Sequence, residues 1–175
     1  MDQWPKLIVT CRSSRSVESC EHEIGNVIYP RDPAVRVEWS KFSGVLFVYT
    51  SLDLEKVYTI ASFREYGFVE NIIPVHCVLE YPPSELEFKA CLEKAVRDRK
   101  VKLKVRSHGL RGVSERLFNS LIRLLNAMGV SHEPGSNKCL HVEVFEDKVY
   151  VGAGFCRPVF KASTTDWVSE SFGVL

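Results

Sequence analysis

The sharpest alternation of apolar and polar residues runs from Val101 to Arg106, reading Val-Lys-Leu-Lys-Val-Arg. A period of two marks an extended strand. Val101, Leu103 and Val105 fall on one face, and Lys102, Lys104 and Arg106 on the other. Same-face neighbours lie about 7 Å apart, a spacing that a phosphate backbone can follow. A glycine-containing turn, Ser107 to Gly112, comes next. The period then changes to that of a helix starting near Ser114. Leu117, Leu121, Leu124, Leu125 and Met128 share its apolar face, Phe118 and Ile122 widen it, and Gly129 ends it. Strand, basic turn and helix N-terminus together supply cations, fixed N–H groups and the positive end of a dipole, a combination suited to an anion.

The rest of the pattern predicts an α+β chain. Leu7 to Cys11 reads as a strand. A helix capped by Ser16 follows to about Val27, with Val17, Cys20, Ile24 and Val27 on one face. A stiff loop with Pro30 and Pro33 leads to a strand over Val35 to Phe42. After a turn at Ser43-Gly44, Val45 to Thr50 is apolar enough to be a central strand. Asp53 is placed to cap a helix from Leu54 to about Phe63. Phe68 to Tyr81 is extended, and Pro74 within it demands a bulge, an edge position or a break between two strands. The order β-α-β-β-α-β is the split βαβ arrangement of ferredoxin-like domains. Tyr81-Pro82-Pro83 makes a stiff connector. The expected division is therefore a ferredoxin-like domain over residues 1–81, an α/β domain over 82–156 and a tail over 157–175.

The second domain begins with a helix capped by Ser84, with Glu85 and Glu87 in its first turn and Phe88, Cys91, Leu92, Ala95 and Val96 as its buried stripe. It ends on a hairpin: Leu140 to Phe145, a two-residue turn at Glu146-Asp147, then Lys148 to Phe155. The Ser- and Thr-rich tail is left open between packing back through Trp167, Phe172 and Val174-Leu175 and standing apart from the domains. Trp39, Tyr49 and Phe68 are expected in the core.

Composition narrows the function. At 175 residues, 45% hydrophobic and 26% charged, the chain can bury a core. No apolar run approaches the roughly 18 residues of a membrane span. Met1 to Lys6 is too short and polar for a signal peptide, so a cytoplasmic location is expected. The net charge of +1 is unevenly spread: Lys94 to Arg116 holds nine basic and two acidic residues, a balance of +7 that leaves −6 elsewhere. Such a segment points to local anion binding. The plain alternative is a lysine-protected edge strand. Six cysteines, none in a C-x-x-C pair and most in apolar runs, are expected as buried or free thiols. A disulfide framework would fit a hyperthermophile better. No G-x-G-x-x-G or P-loop is present, so no nucleotide cofactor is expected. His76 and Cys77 point to opposite faces of a strand, and Cys139 with His141 reads as a core pair. The histidines lack metal-ligand spacing. No catalytic residue, metal or cofactor is therefore assigned.

The second domain resembles the THUMP domain, an RNA-binding module of tRNA-modification enzymes. The matching residues are Lys104-Val105-Arg106, Gly109, Arg111, Ser114 and the hairpin from Val142-Glu143-Val144 to Tyr150-Val151-Gly152. Gly44 to Leu54 and Val69 to Val75 are similar to segments of the stand-alone THUMP adaptor used in tRNA cytidine acetylation. The resemblance implies a non-catalytic chain that binds tRNA near the acceptor stem and 3′ end. It would present that tRNA to a separate acetyltransferase that forms N4-acetylcytidine. It also implies a ferredoxin-like domain ahead of the THUMP unit.

The candidate RNA-binding residues are Lys102, Lys104, Arg106, His108, Arg111, Ser114 and Arg116. The two later arginines flank the helix start, where a guanidinium can grip phosphate bidentately. His108 is placed to stack on a base or meet phosphate, the plain alternative being an ordinary turn histidine, and Arg12 and Arg15 are expected to extend the basic surface across the domain junction. The alternatives are an RNA-binding subunit of a thiolation or methylation system, a small tRNA-modifying enzyme using one of the cysteines, and a protein-binding module whose Val101 to Arg106 edge pairs with another chain.

Overall fold

The computed structural model describes residues 4–158; the rest of the expected tail lies outside the described residues. Contacts divide the chain into two units, with one break between Val75 and His76.

The first unit contains β1 (Leu7–Cys11), α1 (Val17–Ile28), β2 (Arg36–Trp39), β3 (Val45–Tyr49), α2 (Leu54–Ser62) and β4 (Val69–Pro74). Its sheet has the order β2-β3-β1-β4, with every neighbouring pair antiparallel. This is the split βαβ order read from the sequence. A short 3₁₀ turn, Ser14–Ser16, leads into α1, whose buried residues are Val17, Cys20, Ile24 and Ile28. Ile28 takes the place expected for Val27, because a four-residue step from Ile24 stays closer to the buried stripe. Asp53 stands at the N-cap of α2 but makes no side-chain cap bond. The Glu23 carboxylate accepts the N–H groups of Gly67, Phe68 and Val69 at 2.6, 2.6 and 3.0 Å, which ties α1 to the entry of β4.

Two expected core aromatics are on the surface: Trp39 is 57% exposed and Phe68 42%. Trp39 ends an edge strand and Phe68 precedes β4, so neither is enclosed as a central-strand residue would be. The Trp39 indole N–H donates to Glu21, 2.6 Å away. Tyr49 is half-buried, with the Arg36 guanidinium 4.5 Å from its ring centre.

The second unit contains β5 (Cys77–Glu80), α3 (Glu85–Ala95), β6 (Lys100–Ser107), α4 (Val113–Ala127), β7 (Ser131–His132), β8 (Lys138–Val144) and β9 (Lys148–Phe155). Its sheet order is β5-β9-β8-β6-β7. The division falls ahead of the proline pair because β5 is hydrogen-bonded to β9. Of the three options left open by Pro74, the break between strands is the one adopted. Strands β6 and β8 run parallel, joined by a crossover through α4. The Ser84 hydroxyl accepts from the Glu87 N–H while the Glu87 carboxylate accepts from the Ser84 N–H, completing the capping box at α3. Phe88, Leu92, Leu121 and Leu125 from the helices pack with Val101, Leu103, Leu140, Val142, Val144, Val149 and Val151 of the sheet.

The cysteines overturn the expectation of free thiols. Cys11–Cys20, Cys77–Cys91 and Cys139–Cys156 are disulfides, with Cα–Cα separations of 5.9, 5.8 and 4.9 Å. Apolar surroundings made each look like a solitary buried thiol, but chain reversal brings each pair within the bridging range. Cys11–Cys20 joins β1 to α1, and Cys77–Cys91 joins β5 to α3. Closing a loop of about 15 residues restricts the unfolded chain by roughly 3 kcal/mol. Unfolding without reductant should leave no thiol open to alkylation, whereas six should react after reduction. Replacing Cys139 and Cys156 together by Ala should cost about 2–4 kcal/mol in a denaturant titration.

Candidate nucleic-acid interface

Lys102, Lys104 and Arg106 lie on the face of β6 opposite the helices, as alternation requires. The parallel register sets them beside Cys139, His141 and Glu143 of β8, and β8 in turn pairs these with Gly154, Gly152 and Tyr150 of β9. These cations do not stand on an open platform. Cys139, His141 and Glu143 are buried, and all three cations are half-buried. The row borders a buried polar strip.

Glu143 is fully buried and serves two partners. Arg106 Nη1 lies 3.4 Å from its Oε2 and His108 Nε2 lies 3.4 Å from its Oε1. Taking a carboxylate out of water costs several kcal/mol unless charge and hydrogen bonds offset it, so Glu143 fixes where Arg106 and His108 stand. Arg106 is thus partly committed to an acid. Its side chain nevertheless remains 29% exposed, and a guanidinium offers five donors. The ring of His108 stacks on Phe145 at 4.6 Å, and Phe145 meets Tyr150 edge-on at 5.4 Å. The stack is internal, so His108 has one face already occupied.

The turn after β6 is built on two glycines in left-handed conformation, Gly109 (φ 80°) and Gly112 (φ 69°). Side chains there would be strained by about 1–2 kcal/mol each. The Ser107 hydroxyl donates to the Leu110 carbonyl at 3.1 Å. Helix α4 starts one residue earlier than expected, with Gly112 as N-cap and no side-chain cap bond. Ser114 therefore lies within the first turn and does not cap. Arg111 and Arg116 are exposed beside it, and Arg116 Nε donates to the Gly112 carbonyl at 3.3 Å. The structure thus places Arg111, Ser114 and Arg116 at one helix start, and Lys102, Lys104, Arg106 and His108 along one strand and its exit.

Two histidines are structural centres of this unit, and His141, read from the sequence as a core partner of Cys139, lies on the cations' side of the sheet. Wholly buried His141 donates from Nε2 to the Phe155 carbonyl, 3.1 Å away, leaving Nδ1 without a partner. Burial, with the charges of Arg106 and Lys104 adding to it, pushes its pKa down to about 3. His76 Nδ1 accepts from the Ala153 N–H at 3.1 Å. Burial, followed by Arg97 and Lys94, pushes its pKa down to about 4. An inward acid and histidine in the run His141-Val142-Glu143 were the available signal, since both share the face of the cations. His132, outside that face, uses Nδ1 to accept from the Leu103 N–H at 3.0 Å and so covers part of the outer edge of β6 beyond the two-residue β7. Among the described residues, no group of three His, Cys, Asp or Glu could hold a metal ion. No helix among them is long and apolar enough to cross a membrane.

Comparison with solved structures identifies the fold. The chain is similar to PH1313 from Pyrococcus horikoshii, at TM-score 0.58 and 15% identity over 86% of this chain and 54% of that one. It is similar to TrmN from Thermus thermophilus, at TM-score 0.56 and 14% identity over 87% and 46%. It is also similar to a 4-thiouridine synthetase solved as an RNA complex with bound ATP, at TM-score 0.52 and 15% identity over 98% and 51%. The fold is α+β with a THUMP-type α/β unit. The chain spans about half the length of these solved structures. No protein-family model matches it, and no curated protein does.

Both depressed histidines must stay neutral in the folded chain but take up a proton when it unfolds below the ordinary value of 6.5. Their contribution to stability is therefore complete above about pH 6.5 and is lost as pH falls toward 4 for His76 and 3 for His141. Each contributes a slope of up to about 1.4 kcal/mol per pH unit in that window. Urea midpoints should fall steadily on acidification from pH 6.5, and His141→Gln should make that fall shallower.

Proposed function

We propose that this chain is an RNA-binding component of tRNA modification, working as a non-catalytic adaptor. The observation that carries this reading is the cationic line Lys102-Lys104-Arg106, which runs toward the exposed Arg111 and Arg116 at an uncapped helix start. It stands on a fold shared with a synthetase that was solved bound to RNA. The fixed strand spacing suits the phosphates of an A-form stem, and RNA stems are recognised chiefly by shape and backbone. In the finer reading, supported by the sequence resemblance, the chain presents the acceptor stem and 3′ end of tRNA to a separate acetyltransferase that makes N4-acetylcytidine. The two lysines carry the phosphate contacts, Arg106 contributes those donors not turned to Glu143, and Arg111 and Arg116 meet the backbone where α4 begins. Likeness to the 4-thiouridine synthetase favours a second reading, in which the same surface serves tRNA thiolation.

Each lost phosphate contact weakens RNA binding about uniformly across sequences and flattens the salt dependence by about one unit. Lys102→Ala with Lys104→Ala should therefore reduce tRNA affinity and lower the slope of log affinity against log salt by about two. Filter binding across a salt series measures both, and an unchanged slope removes this surface from the interface. The role in acetylation is tested by incubating tRNA with acetyl-CoA, ATP and the acetyltransferase from the same cells, with and without this chain. Nucleoside mass spectrometry should find N4-acetylcytidine raised by the chain. Product formed equally without it rejects the adaptor role.

A further inference from the structure

Apart from the face of β6, the first unit holds a cleft of about 460 Å³ whose lining includes Arg12, Arg64, Glu65, Tyr66, Glu70 and Arg157. Its three arginines come from separate stretches of chain: Arg12 follows β1, Arg64 follows α2, and Arg157 follows Cys156. Glu70 stands between two of them, with Arg12 Nε 3.7 Å from Oε2 and Arg157 Nη2 3.9 Å from Oε1. These separations keep the charges together but exceed hydrogen-bond length, so Glu70 orders both guanidiniums without using up their donors. Both side chains are more than half exposed, at 56% and 75%. Tyr66 is itself buried and donates its hydroxyl to the Ala61 carbonyl, so this part of the lining is held in place.

Planar guanidinium forks match phosphate oxygens, and several converging on one cleft form an anion receptor. The charge count narrows the anion. Among the described residues, three arginines face Glu65 and Glu70, leaving one net positive charge. A phosphodiester carries a single negative charge, whereas a phosphate monoester carries about −1.5 to −2 at neutral pH. We propose that this cleft receives one phosphodiester group of a nucleic-acid backbone, gripped by Arg12, Arg64 and Arg157, with Glu70 ordering two of these and holding the net charge at the value that suits a monoanion. That the backbone is RNA rests on the function proposed above; the diester chemistry rests on the cleft itself.

The test uses the whole chain labelled with nitrogen-15. Arginine side-chain signals are followed as dimethyl phosphate, a monoanionic diester, or inorganic phosphate above neutral pH is added. In parallel, tRNA affinity is measured for the unaltered chain, Arg64→Gln and Glu70→Gln. Dimethyl phosphate should move the signals of Arg12, Arg64 and Arg157 more than inorganic phosphate does, and Glu70→Gln should reverse that preference. Arg64→Gln should weaken tRNA binding several-fold and flatten the salt slope by about one. Signals that ignore dimethyl phosphate overturn the site. So does an Arg64→Gln chain that keeps its affinity and slope while Lys102→Ala with Lys104→Ala loses both, and that result leaves the RNA-binding reading intact. Signals that respond while the unaltered chain fails to bind tRNA uphold the diester site and reject the RNA reading instead.

Discussion

The parallel register of β6 against β8 is the constraint on which the polar side of the second unit depends. It sets Lys102 beside Cys139, Lys104 beside His141 and Arg106 beside Glu143. A slip of one residue would turn every cation into the apolar layer formed with α3 and α4. The register is protected from both directions: Val101 and Leu103 are anchored in the core cluster, while buried Glu143 finds its ion-pair partner, Arg106, on the paired strand. One buried carboxylate therefore links sheet pairing to the posture of the surface, because it holds the last cation of the strand and the histidine that leaves it.

The disulfides act at a different level. Each joins segments close in sequence and stays within one unit: Cys11–Cys20 in the first, Cys77–Cys91 and Cys139–Cys156 in the second. They limit the freedom of each unfolded unit without depending on the other. Cys139 lies on the same face as His141 and Glu143, so one staple also pins the strand that carries the buried polar strip. With all six thiols bonded, the cysteine-nucleophile alternative has no thiolate in this state.

The α4 entrance shows how a turn shapes what a charged segment can do. Two glycines with positive φ reverse the chain between β6 and α4, and the second of them stands where a capping side chain would. Backbone N–H groups at that helix start are left without a side-chain oxygen, with Arg111 and Arg116 exposed nearby. Charge and backbone donors consequently face the same region for a reason that is geometric and local.

Local periodicity determined much of the architecture. The alternation from Val101 to Arg106 specified β6 and its two faces, the Ser84-to-Glu87 spacing specified the start of α3, and the strand and helix order of the first unit specified its split βαβ sheet. These properties were legible because neighbouring residues decide them. Helix α4 was legible in its body but not at its first residue, since a left-handed glycine cap leaves no side-chain signature. The sequence by itself thus determined which residues would be cationic, which strand would carry them and which side they would take. Only the tertiary structure decided that β5 joins β9, that six dispersed cysteines meet in pairs, that Trp39 and Phe68 reach the surface, and that Glu143 lies beneath Arg106 and His108. Those outcomes depend on distances between residues far apart in the chain, and such distances come into existence only when the sheets close.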